Sequence, residues 1–412
     1  MKTNYKIEQS NKFKTNFLQV RYLVEATKEN ISYASLLSMY LAYCNEDYPS
    51  YKLAYDKLDE LYGAKFDISI AIKGNYITFD FHISFISQRF INDNNYLTEL
   101  LKIFMAFILK PLINNNRFDQ DIVALKKYEL AERIKSFYDD KNVYAIERFL
   151  EQFAADYPLG LASAGYQECL DEIDERKLFA FYNDLLNQKP IICGMINSND
   201  YDLVMSLLNK QFDKTNFASY FKMYNITNNE SVKTVIEEQD IVQSKLVLGY
   251  TIDEEITSAN YYHYLLINAL FGMSSNSYLF KIVREQENLC YTIRSNYDQY
   301  SNTIIVFAGI EKESYEKTVF LVNDILEKMK HGNIEQENFE DAKTVMIDVI
   351  NKLNNSQSGL VNYYLNRTMQ KLNNDLSEDI KAIKQLELTD IIVKINNIKL
   401  KTVYLLSGDK NE

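Results

Sequence analysis

Alternating apolar and polar positions divide the first half of the chain into strands and helices. Two alternating runs flank Gly74 and predict a hairpin, because strand side chains point to opposite faces in turn. Elsewhere the apolar positions recur at helical spacing, or form one short buried run. The predicted strands are 16–26, 66–72, 76–85 and 191–196, and the predicted helices are 33–43, 51–61, 96–109, 118–138, 143–156, 174–186 and 201–208.

The second half repeats this order of elements after a polar stretch at 211–238, which we interpret as a linker. A repeat with a period of about 220 residues implies a duplicated domain. We therefore predict an N-terminal lobe at 1–210 and a C-terminal lobe at 239–412. The predicted strands of the second half are 244–250, 290–295, 302–308 and 401–406, and the predicted helices are 259–271, 278–286, 315–330, 336–353 and 359–371.

Composition indicates a folded, acidic protein. Hydrophobic residues make up 47% of the 412 residues, and the formal net charge is -12 without any block of Lys and Arg. Nucleic-acid binders need clustered cations, so that class is excluded. Segment 1–14 lacks the apolar core of a signal peptide, and the longest apolar run, 103–109, is too short for membrane insertion. A reducing cytoplasm suits the four scattered cysteines, Cys44, Cys169, Cys193 and Cys290.

Catalytic motifs are missing from the sequence. The three histidines, His82, His263 and His331, have no second His or Cys three or four residues away, so no local metal pair exists. There is no GxSxG elbow, no P-loop and no GxGxxG. The chain therefore resembles a binding or assembly protein more than a self-contained enzyme.

Short motifs distributed along the chain carry a family resemblance. They are Tyr48-Pro49-Ser50, Leu58–Ala64, Tyr138–Lys141, Gln243–Leu246, Asn276–Lys281 and Leu289-Cys290-Tyr291. Their order and spacing, from about Lys12 to Gly408, resemble the M16 (pitrilysin/insulinase-like) metallopeptidases, and more closely the inactive members found in low-GC Gram-positive bacteria. The resemblance implies an α+β fold of two homologous lobes, each a largely antiparallel sheet backed by helices, in a clamshell arrangement.

The resemblance also locates a degenerate zinc motif. Active members carry His-x-x-Glu-His on the first helix, and aligning Tyr48-Pro49-Ser50 with the family places Ser35, Ser38 and Met39 at those positions. The distal Glu ligand aligns with Arg133, although Glu129 and Glu132 are neighbours. We therefore expect no metal and no cofactor in this chain, and zinc in a partner subunit.

The C-terminal lobe keeps the spacing Arg284-x6-Tyr291, which in the family binds the substrate backbone across from the zinc. The resemblance implies that both residues bind substrate in trans. The spacing alone favours the ordinary interpretation, in which Arg284 is an exposed helix residue that pairs with Glu287 and Tyr291 is one tyrosine among many. A possible substrate loop contains Gly272, Ser274, Ser275 and Asn276; an ordinary helix-capping turn is the alternative.

Two functional hypotheses follow. In the first, the chain is the non-catalytic subunit of a heterodimeric zinc endopeptidase, whose homologous partner supplies His-x-x-Glu-His. This chain would then complete the chamber that binds the peptide substrate. In the second, the chain is a homodimeric peptide-binding or scaffold protein without any peptidase role.

Overall fold

The computed structural model describes residues 4–212, 223–227, 231–257, 259–370, 372 and 374–408. Residues 213–222 and 228–230 of the predicted linker lie outside this range. The chain forms two units, and neither is continuous in sequence. Unit 1 comprises Met1–Lys135, Ala162–Phe221 and Leu353–Asn373, and unit 2 comprises Ser136–Leu161, Lys222–Lys352 and Asn374–Glu412. Each unit therefore includes a segment from the other half of the chain.

The first half contains seven strands and eight α-helices among the described residues, with 3-10 turns at Gln88–Phe90 and Pro158–Gly160. In chain order they are β1 (Tyr5–Gln9), β2 (Thr15–Glu25), α1 (Lys28–Leu41), α2 (Tyr51–Glu60), β3 (Lys65–Lys73), β4 (Tyr76–Ile86), α3 (Tyr96–Leu109), β5 (Ile113–Asn114), β6 (Arg117–Phe118), α4 (Gln120–Ser136), α5 (Lys141–Phe153), α6 (Gln167–Asp171), α7 (Glu175–Leu186), β7 (Ile191–Ile196) and α8 (Tyr201–Gln211).

The second half repeats the same order, with a 3-10 turn at Lys312–Ser314 and π-helices at Ala269–Met273 and Leu279–Gln286. Its elements are β8 (Lys233–Gln239), β9 (Ser244–Ile252), α9 (Tyr261–Asn268), β10 (Cys290–Asp298), β11 (Thr303–Ile310), α10 (Tyr315–Lys330), α11 (Gln336–Leu353), α12 (Gln357–Met369), α13 (Leu376–Lys384), α14 (Leu388–Ile395) and β12 (Ile398–Gly408).

Each unit is built on one five-stranded sheet, and the two sheets share a topology. The strand order is β1-β7-β2-β4-β3 in unit 1 and β8-β12-β9-β11-β10 in unit 2. In both, the first pairing is parallel and the other three are antiparallel. This arrangement confirms the predicted α+β fold of two repeated, largely antiparallel sheets backed by helices.

The structure differs from the sequence-based prediction at the parallel edge of each sheet. Strand β1 was not predicted, and β8 lies largely within the stretch predicted as a linker. Both strands are polar and only partly buried, since an edge strand has one neighbour and little apolar surface to cover. The predicted helices at 259–271 and 278–286 are also different, because they contain the two π-helices.

The two faces of the unit 1 sheet have opposite chemistry. Val20, Phe79 and Phe81 are fully buried on one face. They belong to the same hydrophobic core as Leu36 and Leu37 of α1. The other face carries a charged pair, in which Arg21 of β2 lies directly opposite Asp80 of β4. Helix α12, which comes from the second half of the chain, contacts β2 and β7 on this polar side.

The pair formed by Arg21 and Asp80 is bidentate and buried. Arg21 donates from Nε and Nη2 to the two carboxylate oxygens at 2.6 and 2.7 Å, and the two residues are 1% and 4% exposed. The remaining guanidinium nitrogen points to α12, with Nη1 3.4 Å from Asn366 Oδ1 and 3.2 Å from Met369 Sδ. Because a buried charge needs its polar contacts satisfied, the sheet and α12 depend on each other.

In unit 2 the corresponding face is apolar. Helix α5, from the first half of the chain, packs against β9 and β12 with the buried rings of Phe149 and Phe153. Gly249 of β9 allows this close approach, since a Cβ there would lie 2.5 Å from Phe149 Cζ and 2.6 Å from Phe153 Cδ2. Any larger residue would force α5 away from the sheet.

A second ion pair joins α5 to the edge of this sheet. Arg148 donates from Nε and Nη2 to Glu237 Oε1 at 3.0 and 2.7 Å, and the hydroxyls of Tyr144 and Tyr404 donate to Oε2 at 3.0 and 3.1 Å. Burial acts to raise the pKa of Glu237, but the hydrogen bonds from Arg148 and Tyr144 prevail and lower it. The carboxylate is therefore held in its charged form.

None of the described helices combines the length and apolar character needed to cross a membrane.

We predict that Arg21→Met destabilises unit 1 by about 3–5 kcal/mol, because it leaves the Asp80 carboxylate buried without a cation. The double variant Arg21→Met/Asp80→Leu should recover at least half of that loss, since no buried charge remains. Hydrogen exchange of peptides from β2 and β4 measures the opening free energy of this sheet.

The matched control is Lys399→Met, which removes an exposed pair with Asp253, 2.8 Å apart. That change should cost less than about 1 kcal/mol. Equal effects of the Arg21 and Lys399 substitutions would contradict the assigned role of the buried pair.

Candidate functional site

Helix α1 presents the three residues at the predicted zinc-motif positions. Thr27 caps its first turn, with Oγ1 accepting a hydrogen bond from Asn30 N at 3.1 Å. Ser35 is 4% exposed, and Ser38 Oγ donates to the Ser35 carbonyl at 2.8 Å. Met39 packs against the apolar core of unit 1. The helical scaffold is therefore intact, while its side chains serve packing and a local hydrogen bond.

The second helix of the predicted site is α4, where Arg133 is exposed. The neighbouring carboxylates are paired with lysines of the same helix: Glu129 with Lys126 at 2.8 Å, and Glu132 with Lys135 at 2.8 Å. Because of these ion pairs, neither Glu129 nor Glu132 is a free carboxylate that could bind a metal.

Sequence reasoning missed Lys126, which is 8% exposed and lies on the inner face of α4 with Val123 and Leu130. Its ammonium sits 4.2 Å from the ring centroid of Tyr43, one helical turn beyond Met39. Lys126 lies three residues after Val123 and four residues before Leu130, a spacing that places it on the buried face of the helix. This spacing was the signal in the sequence that could have identified it. The same ammonium pairs with Glu129 at 2.8 Å, so the side chain brings a balanced charge to the end of α1.

The residues present do not fit a zinc ion. Zinc in proteins takes imidazole, thiolate or carboxylate ligands, and α1 offers two hydroxyls and a thioether at the relevant positions. Across the part of the chain that the structure describes, no group of three or more His, Cys, Asp or Glu side chains could hold a metal ion.

The histidines lie on separate elements with structural contacts. His82 stacks on Phe17 with ring centroids 5.8 Å apart. His331 caps α10, with Nδ1 2.7 Å from the Glu327 carbonyl oxygen. Burial lowers the pKa of His263, which favours its neutral form. These placements agree with the sequence-based reading of three unrelated side chains.

The four cysteines are unpaired, and three are poor nucleophiles. Burial raises the pKa of Cys44 and of Cys290 to about 11, and that of Cys193 to about 12. Because the thiolate is the reactive form, these thiols are almost entirely protonated near neutral pH.

Arg284 lies on the π-helix Leu279–Gln286 and is exposed. Its guanidinium carbon is 4.5 Å from the ring centroid of Phe280, and it has no carboxylate partner among the described residues. Glu287, the alternative partner considered above, pairs instead with Lys317 at 2.7 Å. The arginine therefore presents its donors to solvent.

Tyr291 lies at a β-bulge of the edge strand β10. Cys290 pairs with Ile310 and Thr292 pairs with Gly309, so Tyr291 is the extra residue. Its side chain is 67% exposed. Bulges at sheet edges redirect side chains, which accounts for an exposed tyrosine beside the buried Cys290. Arg284 and Tyr291 thus occupy neighbouring elements of the same unit, because the π-helix packs against β10.

The predicted substrate loop is a compact turn. A Cβ at the buried Gly272 would lie 2.7 Å from Leu279 Cδ1 and from Ser295 Oγ, so close packing against β10 accounts for the glycine. Ser277 Oγ donates to the Ser274 carbonyl at 2.6 Å, and Asn276 N donates to Ser274 Oγ at 3.3 Å. Ser275 and Asn276 are exposed, and these contacts favour the alternative of a turn that leads into the π-helix.

Comparisons with known proteins agree with this geometry. The sequence profile described as "Peptidase M16 inactive domain" matches residues 172–346. The chain is 26% identical to the "Probable inactive metalloprotease YmfF" of Bacillus subtilis (strain 168), over 98% of this chain and 95% of that protein.

Solved structures show the same fold. A conserved protein from Enterococcus faecalis V583 superimposes with a TM-score of 0.89 at 25% identity, covering 99% of this chain and 97% of that one. A peptidase M16 inactive domain from Pseudomonas fluorescens gives a TM-score of 0.78 at 14% identity, covering 98% and 95%.

We predict that Cys44, Cys193 and Cys290 ionise only above about pH 10, since their pKa values are raised from 9.0 to about 11, about 12 and about 11. Protonated thiols in the fold contribute stability that is fully present below the unfolded pKa, and lost as the pH rises from about 9 through 12. The Cβ chemical shifts of 13C-labelled cysteine should follow this late ionisation residue by residue, while the urea-unfolded chain should titrate near pH 9. A folded chain with three or more thiols titrating at pH 9 would refute the assignment.

Proposed function

Since the chain is an inactive homologue in the M16 peptidase family, we propose that it is the non-catalytic subunit of a heterodimeric zinc endopeptidase. The partner is a homologous subunit with an intact His-x-x-Glu-His, and the substrate is a peptide. In this proposal the chain completes the peptide-binding chamber of the heterodimer. It offers Arg284 and Tyr291 to the reaction at the partner's zinc.

The proposal rests on a contrast between the side chains of unit 1 and those of unit 2. Unit 1 keeps the helical scaffold of the zinc motif but has Ser35, Ser38 and Met39 in place of ligands and base. Unit 2 exposes an arginine without a carboxylate partner among the described residues, next to an exposed tyrosine on a sheet edge.

The chemistry of the two side chains suits a peptide carbonyl. A guanidinium has five N–H donors and a phenol has one O–H donor, and neither needs to change its protonation state to act near neutral pH. The partner's metal would polarise the scissile carbonyl and activate water. Arg284 and Tyr291 would orient the peptide and donate hydrogen bonds to the oxygen as it gains negative charge.

The edge strand β10 supports binding of an extended peptide. Within the described ranges it pairs with β11 and with no second strand, so backbone N–H and C=O groups on its other side have no strand partner there. Thr292, Arg294 and Asn296 are exposed at alternate positions along it. A peptide that adds to such an edge gains main-chain hydrogen bonds without a strict sequence requirement. We place the assembly in the cytoplasm, where unpaired cysteines persist.

The central test mixes the purified chain with its zinc-bearing homologue and follows cleavage of a fluorogenic peptide library. The chain alone should cleave nothing and contain no stoichiometric zinc by elemental analysis, whereas the mixture should be active. Arg284→Ala and Tyr291→Phe should each lower kcat/KM of the mixture at least tenfold, because loss of one oxyanion donor typically costs more than this.

Matched controls are Arg176→Ala and Tyr128→Phe, which change an exposed arginine and a tyrosine that is 67% exposed, as Tyr291 is. Both should leave the activity unchanged. The proposal fails if the Arg284 and Tyr291 variants keep full activity in the mixture. A homodimer that binds peptide but never associates with the zinc-bearing homologue would indicate the scaffold function instead. Stoichiometric zinc in the isolated chain would indicate an independent enzyme.

A further inference from the structure

The edge strand β10 carries an exposed arginine at its centre. Arg294 lies in the middle of the strand, and its guanidinium carbon is 6.0 Å from the ring centroid of Phe307 on the neighbouring strand β11. It forms no ion pair with a carboxylate of the described residues. The strand therefore presents a cation to solvent beside an edge that, within the described ranges, has no second strand.

The position of α5 on the sheet explains this exposure. The strand register aligns Tyr404, Val247, Phe307 and Arg294 in one row across β12, β9, β11 and β10. Tyr404 and Val247 are fully buried in the core that α5 forms with β9 and β12. Phe307 is half-buried at the border of that core, and Arg294 is exposed. The layer formed by α5 thus ends before β10, and the row terminates in a charge.

The other charges on this face of β9, β10 and β11 are already bound within the chain. The register places Lys245 and Asp298 on the same face as Arg294. Lys245 Nζ donates to Gln243 Oε1 at 2.7 Å, and Asp298 accepts a hydrogen bond from Ser301 N at 3.2 Å in the turn after β10. The charge that remains available to a ligand is therefore positive, although the whole chain has a formal net charge of -12.

A peptide strand added to β10 would bring one of its side chains next to this cation. In an antiparallel pair, residues directly opposite each other have Cβ atoms about 4.5–5.5 Å apart, so the residue opposite Arg294 comes within reach of the guanidinium. A carboxylate there would accept charge-assisted hydrogen bonds, whereas a second cation would be repelled. The next peptide residues on the same face would lie beside Thr292 and Asn296, which are exposed and uncharged.

We propose that β10 selects extended peptides with an Asp or Glu opposite Arg294, so that the substrate class is an acidic peptide. This inference rests on the proposed function in taking β10 as the peptide-binding edge. The roles of the residues are different. Arg284 and Tyr291 would bind a main-chain carbonyl, which every peptide has, while Arg294 would recognise a side chain.

Fluorescence anisotropy on the isolated full chain at low salt tests the selection. The probes are three dye-labelled peptide amides of sequence Thr-Val-X-Val-Thr, in which X is Glu, Gln or Lys. The Glu probe should bind about three- to fivefold more tightly than the Gln probe, and the Lys probe should bind most weakly, because an exposed cross-strand ion pair contributes modestly. At about 0.5 M NaCl the three affinities should converge, since salt screens exposed charges.

Charge reversal assigns the selection to one residue. Arg294→Glu should invert the order, so that the Lys probe binds most tightly, and Arg294→Gln should make the three affinities similar. The matched control is Arg176→Glu, which changes the net charge equally at another exposed arginine and should keep the preference for Glu. Circular dichroism verifies that each variant is folded.

The outcomes separate this inference from the proposed function. Equal binding of the three probes, or an unchanged order in Arg294→Glu, overturns the selection of acidic peptides and leaves the heterodimeric peptidase intact. Binding of none of the probes also overturns it. A preference for Glu that Arg294→Glu inverts supports the selection, even where the mixture with the zinc-bearing homologue cleaves nothing and the proposed function fails.

Discussion

The buried pair of Arg21 and Asp80 is the constraint on which unit 1 depends. Both charges are removed from water at the centre of the sheet, on adjacent strands, and each satisfies the other at 2.6 and 2.7 Å. The guanidinium completes its contacts only with α12, which comes from a distant part of the chain. Because β2 and β4 are held in register by this pair, their opposite face is fixed as well. That face carries the apolar core, against which α1 packs.

At the three positions that the family resemblance assigns to the zinc motif, α1 carries side chains with other contacts. Ser35 and Met39 are integrated into packing, and Lys126 occupies a position close to the end of α1 with its charge balanced by Glu129. The exposed donors of unit 2 form the other side of this contrast: Tyr291 is 67% exposed, and Arg284 is exposed with its guanidinium over the ring of Phe280.

Much of the fold could be predicted from the sequence. Periodicity predicted Tyr96–Leu109, Ile191–Ile196, Tyr315–Lys330 and Gln336–Leu353 with the bounds observed, because each has a strong and uninterrupted apolar pattern. The edge strands β1 and β8 were missed, since a polar strand with one neighbour has no such pattern. The exchange of α5 and α12 between units was not predictable either. The apolar face of α5 indicates that something covers it, but not which sheet does so.

The candidate site likewise has one part that could be predicted from the sequence and one part that could not. The prediction that Ser35, Ser38 and Met39 stand at zinc-motif positions came from the family resemblance, and the residue types then showed that none of them is a zinc ligand. The exposure of Tyr291 could not be predicted, because it follows from a β-bulge that only the pairing of β10 with β11 defines.

The helix exchange has a consequence for how the protein is made. Unit 1 cannot cover its polar sheet face until α12 has left the ribosome, long after β7 and α8 have been synthesised. At roughly 5–20 residues per second this delay is on the order of ten seconds, during which Arg21 and Asp80 face water or a chaperone. Unit 2, in contrast, receives α5 first and its sheet later. The two repeats therefore mature together near the end of translation, and a duplicated gene has produced a protein whose halves are not separable folding units.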